Sequence, residues 1–174
     1  MKNLYIVLSQ SGAITSKILK FFTGDEFNHV SISLSSTLDK MYSFGRINPN
    51  NPFVGGFVEE GKDFGTFKKY HKTIAMVLEL TVTNQQFNSI KYFINYFVEH
   101  KKEFKYNYFG VLCALFKMNY RNRRRFYCSQ FVKVCLSVFN VENASELPRV
   151  VKPIDFLQLK NKNIVYKGLL KNYS

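Results

Sequence analysis

The chain has three cysteines, Cys113, Cys128 and Cys135, and Cys128 has the surroundings that suit a nucleophile. Cys128, Phe131, Val132, Cys135, Leu136 and Phe139 recur at the spacing of one helix face, so Cys128 opens a helix and begins its interior stripe. Unpaired N–H groups and the dipole at a helix start favour a thiolate over a thiol. The same amides can hold an oxyanion formed at an attacked carbonyl. Cys113 and Cys135 lie within apolar runs away from a helix start and read as structural. Free cysteine also packs well as a small apolar side chain, so position alone leaves a structural reading open for Cys128 too.

A thiol nucleophile needs a base. Of the three histidines, His100 lies in the charged run Glu99–Glu103 and His71 follows Lys68-Lys69-Tyr70, so both are expected in solvent. His29 differs. In Val30–Leu34, Val30, Ile32 and Leu34 point one way while His29, Ser31 and Ser33 point the other, the alternation of a half-buried strand. A polar strip on such a strand suits a site, although a lone histidine there can also be structural.

These two residues must be held by the elements between them. Leu4–Leu8 reads as a first strand, Ile14–Phe22 as a helix ended by Thr23-Gly24-Asp25, and Met41–Phe44 as a strand returning beside Val30–Leu34. Residues 45–72, rich in Gly, Asn and Pro, read as a long structured excursion anchored by Phe53, Phe57, Phe64 and Phe67. Because it leaves from the strand beside His29, it is expected to wall the substrate cleft. Ile74–Val82 is a strand. Thr83 and Gln86 form a capping box for a helix with Phe87, Ile90, Phe93, Ile94 and Phe97 on one face. Tyr108–Phe116 reads as a second, largely buried helix, Arg121–Arg125 as an exposed basic loop, Cys128 to about Asn140 as the third helix, and Asn163–Gly168 as an edge strand. Strands cluster early and helices late. The fold class is therefore α+β, an antiparallel sheet packed by helices in one domain spanning 1–174.

Composition narrows the setting. A 174-residue chain with 46% apolar residues can bury a core and is not a disordered tail. Its net charge of +13 draws it toward anionic partners such as nucleic acid, anionic lipid or an acidic polymer. It has neither Cys/His metal-finger spacing nor a recognition-helix signature. The N-terminal apolar stretch is too short for a signal peptide, and Tyr108–Phe116 is too short to cross a bilayer. An odd cysteine count with no signal peptide points to free thiols and a cytoplasmic setting.

Phe27-Asn28-His29-Val30-Ser31-Ile32, followed much later by Tyr127-Cys128-Ser129-Gln130-Phe131-Val132, resembles the circularly permuted branch of the NlpC-type, papain-like cysteine hydrolases. That branch includes the YiiX-like proteins and, more remotely, the lecithin:retinol acyltransferases. In it the His strand precedes the Cys helix, as here. Leu8–Gly12 resembles the opening strand and turn, Ser16–Thr23 the helix before the His strand, and Tyr108–Phe116 the apolar helix before the Cys.

The resemblance implies a permuted papain-like fold, Cys128 as nucleophile and His29 as general base, with no cofactor and no metal. It places the third polar residue on the strand after the His strand, where Ser43 stands nearest the expected position and Ser31, Glu59 and Glu60 are alternatives. A serine could orient the imidazole but could not stabilise its charge as a carboxylate would. Gln10 could add a side-chain oxyanion donor, or could simply be a solvated turn residue. The implied activity is hydrolysis or acyl transfer at an amide or ester, on a peptide-like cell-wall fragment or an acyl lipid. The competing reading is a non-catalytic basic module that holds anionic lipid or nucleic acid through Arg121, Arg123, Arg124 and Arg125.

Overall fold

The computed structural model describes residues 1–10, 26–48, 50–51, 53–116, 118 and 120–174. The helix expected over Ile14–Phe22, and with it the Ser16–Thr23 segment, lies outside the described residues. The strands are β1 (Lys2–Gln10), β2 (His29–Ser33), β3 (Met41–Arg46), β4 (Gly55–Glu60), β5 (Ile74–Val82), β6 (Lys105–Tyr106), β7 (Arg125–Phe126) and β8 (Lys162–Leu169). The helices are α1 (Gly65–Lys69), α2 (Asn84–Glu99), α3 (Tyr108–Leu115) and α4 (Cys128–Ser137). The strands form one sheet in the order β7-β6-β4-β3-β2-β1-β5-β8. Every pairing is antiparallel except β6 with β7. The architecture is thus mixed, with a largely antiparallel open sheet and helices packed on it.

β1 lies inside the sheet because its sequence is apolar on both faces. Leu4, Ile6 and Leu8 enter the main core, while Tyr5 and Val7 enter a smaller one on the opposite face. The main core holds α2 through Ile90, Ile94 and Phe97 and α4 through Phe131, Val132, Cys135 and Leu136. Phe44, Phe57, Phe97 and Phe131 pack ring on ring there, with centroids 5.1–6.1 Å apart. The capping box of α2 is present, with Gln86 N donating to Thr83 Oγ1 and Thr83 N donating to Gln86 Oε1.

The structure corrects three expectations about the elements. β2 is buried on both faces rather than half-buried, because Leu38, Met41 and Phe67 cover the side that carries its serines. The excursion over 45–72 is not mainly loop: it contains β4, paired with β3 from Met41↔Glu60 to Arg46↔Gly55, and the short α1. Phe57 and Phe67 anchor it as expected, while Phe53 projects into solvent. Finally, α3 forms where expected but is not largely buried. Tyr108, Phe109, Leu112 and the following Phe116 are exposed, while Cys113 is buried.

Candidate active site

Three elements converge on His29. It opens β2, and its neighbour on β1 is Ser9. Beyond that pair, Gln10 ends β1 and, by strand alternation, lies on the face with Leu8 and Ile6, the face that α4 covers. The first residue of α4 is Cys128, close enough to His29 that its sulfur helps raise the pKa of the ring. Cys128 is itself 6% exposed.

The start of α4 is fastened by Gln130. Its Oε1 accepts from Tyr127 N at 3.2 Å and from Asn107 Nδ2 at 3.3 Å, and its Nε2 donates to Tyr120 O at 3.1 Å. Asn107 in turn caps α3, its Oδ1 accepting from Gly110 N at 2.9 Å. One amide pair, Asn107 with Gln130, therefore ties the helix bearing the cysteine to the helix before it. Next to Cys128, Ser129 donates to Val151 O at 2.8 Å.

On the other side of the imidazole, His29 Nε2 lies 2.9 Å from Glu60 Oε2. Ser31 Oγ donates to the same carboxylate oxygen at 2.7 Å. Glu60 reaches His29 over the intervening β3 because that strand presents small residues there. A Cβ placed on Gly45 would lie 3.6 Å from His29 Cε1 and 3.8 Å from Glu60 Oε1. Ser43 does not take the third position. Its buried hydroxyl donates to Val30 O at 2.7 Å, within the sheet, and the group against His29 is the Glu60 carboxylate. Glu59 faces away from the site, with Oε1 3.7 Å from Lys101 Nζ.

Burial alone would push the His29 ring toward neutrality. The Glu60 charge, hydrogen bonds to Cys128 and Glu60, and the charge of Cys128 outweigh it, raising its pKa to about 10. Burial would likewise raise the Glu60 carboxyl, yet the His29 charge, hydrogen bonds from His29 and Ser31, and the Arg46 charge hold it below the usual range. The arrangement is that of an imidazolium beside a carboxylate and a cysteine sulfur.

No family model matches this sequence, and neither a curated protein nor a solved structure matches it.

Tyr106 went unnoticed in the sequence and lines the same region. Its hydroxyl is pushed well above the ordinary tyrosine value, first by burial and then by the charge of Cys128. Gly55 touches it: a Cβ there would come within 2.7 Å of Tyr106 Cβ and 2.8 Å of the Tyr108 hydroxyl. The β3–β4 hairpin thus returns against the residues just before α3. Cys135 is buried in the core, where desolvation raises its thiol well above the ordinary value. His71 is exposed, and His100 stacks on Tyr96 with Nδ1 2.9 Å from Tyr96 O. Among the described residues no group of three or more His, Cys, Asp or Glu side chains is arranged to hold a metal ion. Among them, too, no helix is long and apolar enough to cross a membrane.

Proposed function

We propose that this protein is a cysteine-nucleophile hydrolase or acyltransferase with a permuted papain-like fold, acting on an amide or ester bond. The observation that carries the reading is the His29 ring, 2.9 Å from the Glu60 carboxylate and neighboured by Cys128 at the start of α4. A structural ion pair would need only His29 and Glu60, whereas nucleophilic catalysis also needs the thiol at the start of a helix.

In this reading the Cys128 thiolate attacks the substrate carbonyl carbon, and the carbonyl π electrons move to oxygen. The backbone N–H of Cys128 stabilises that oxyanion, with Gln10 as a second donor at the same end of the sheet. As the tetrahedral intermediate collapses, the bond to the amine or alcohol breaks, and His29 gives its proton to the leaving group. A thioester on Cys128 remains. Neutral His29 then takes a proton from water or from another acyl acceptor, which attacks the thioester and restores the thiolate–imidazolium pair. Glu60 holds the ring orientation through Nε2 and stabilises each imidazolium stage. Glu60 thereby takes the role that Ser43 was expected to fill. The substrate is a peptide-like fragment or an acyl lipid.

Labelling with a thiol-reactive acyl probe, followed by mass-spectrometric site mapping, tests the reading. Acylation of Cys128 that disappears in His29→Asn is the expected result. Acylation spread equally over Cys113 and Cys135, or unchanged in His29→Asn, would overturn it.

A further inference from the structure

The sequence between Glu103 and Glu142 contains no Asp or Glu. Within it, α3 turns its apolar side chains outward. Phe109 is 60% exposed, Leu112 52% and Phe116 69%, with Met118 exposed just beyond. Lone exposed apolar residues are ordinary, but a run of large ones along one helix and its continuation marks an interaction surface. The chain then folds back onto the helix, with the Tyr120 and Phe109 rings edge to face at 4.9 Å. This brings the exposed guanidinium residues Arg121, Arg123, Arg124 and Arg125 beside the apolar face. Among the described residues, the acidic partner of the stretch is Glu103, a marginal contact 4.0 Å from Arg124. Gln130, at the start of the cysteine helix, bonds both Asn107 before α3 and the Tyr120 carbonyl after it.

We propose that α3, Phe116, Met118 and the stretch Tyr120–Arg125 dock the protein onto an anionic lipid surface and thereby present membrane-borne acyl lipid to Cys128. The inference rests on the catalytic reading above for its substrate, but not for its docking surface. Charge complementarity and side-chain chemistry select the occupant. Arginines flanking exposed phenylalanine, leucine and methionine match an anionic headgroup layer over hydrocarbon. A nucleic acid would satisfy the arginines and leave Leu112 and Met118 in water. The helix is too short to span, so it would lie in the interface with Phe109, Leu112 and Phe116 inserted. Because both ends of the α3 segment are fastened to Gln130, the bound surface adjoins the cysteine.

The test is flotation of the full chain with vesicles of phosphatidylcholine alone or mixed with phosphatidylglycerol, at low and high salt. The protein should float with the mixed vesicles. Leu112→Glu/Phe116→Glu and, separately, Arg123→Glu/Arg124→Glu should each weaken binding by roughly tenfold or more. Both pairs are exposed, and matching thermal unfolding curves would show that the variants fold. In a second arm, the Leu112/Phe116 variant should lose turnover of a long-chain ester carried in the vesicles while keeping turnover of a soluble short-chain ester. Absence of flotation would overturn the proposal. So would flotation unaffected by the Leu112/Phe116 changes, or release from vesicles by an oligonucleotide that this variant binds as wild type does. Cys128→Ser separates the two readings: it should float like wild type while turning over neither ester. If it retains turnover, the catalytic assignment fails and the docking result stands.

Discussion

Glu60 Oε2 and His29 Nε2 are 2.9 Å apart although their strands, β4 and β2, are separated by the whole of β3. The pair exists because the strand beneath it carries Gly45 and Ser43 instead of bulky residues. It sets the charge of the imidazole that meets Cys128, and most of the following predictions act on it.

Glu60→Gln keeps the size of the side chain and removes its charge. Loss of turnover by roughly 10²–10⁴-fold is expected, the scale seen when the acid behind a catalytic histidine is neutralised. The pH profile should change as well. The imidazolium is lost as pH rises toward about 10, and Glu60 is one of the charges that raises it. In the variant the alkaline limb of kcat/KM should therefore move to lower pH. An alkaline limb that stays in place would show that Glu60 does not act through His29.

The same pair should shape stability against pH. His29 has a folded pKa of about 10, raised from 6.5. Its contribution is full below about 6.5 and is lost as pH rises from there through 10. Glu60 is lowered from 4.5, so its contribution is present above 4.5 and is lost as pH falls through its folded value. Urea unfolding of wild type and Glu60→Gln should thus differ most between about pH 5 and 7, by a few kcal/mol, and converge at both extremes. A difference independent of pH would mean that the carboxylate contributes packing alone.

Ser43 and Ser31 should separate cleanly. Ser43→Ala removes a neutral bond to Val30 O and should cost about 1 kcal/mol in stability with little effect on turnover. Ser31→Ala removes a bond to the Glu60 carboxylate and should cost about 1.5–3 kcal/mol. It should also shift the His29 titration followed by imidazole NMR signals. The reverse ranking in turnover would restore Ser43 as the third residue.

Gly45 offers a steric control. Its added Cβ would make only ordinary contacts with His29 and Glu60, so Gly45→Ala should stay within about tenfold of wild-type turnover. Gly45→Leu should wedge the ring from the carboxylate and lower activity at least as far as Glu60→Gln, within the roughly 10²-fold or greater loss expected for the charge. If the leucine variant titrates His29 as wild type does, the bridge does not depend on the open space over β3.

The Cys128 helix, the polar face of the His29 strand, the α2 capping box and the edge position of β8 were legible in the sequence, because each depends on local periodicity or on a short-range hydrogen bond. The α+β class followed from the order of those elements. β4 was hidden because Gly55-Gly56, with asparagine and proline before it, has the composition of a loop. Only its pairing with β3 makes Phe57–Glu60 a strand. Glu60 stood with Ser31 and Glu59 as an alternative to Ser43 because a one-dimensional reading cannot see across a strand. That Glu60 lies against His29 while Ser43 donates to Val30 O was decided by sheet register and the missing side chain at Gly45. The exposure of α3 was misread for a related reason. An apolar run signals burial only if a partner surface exists, and whether a neighbouring element covers that face is decided by the packing of the whole chain.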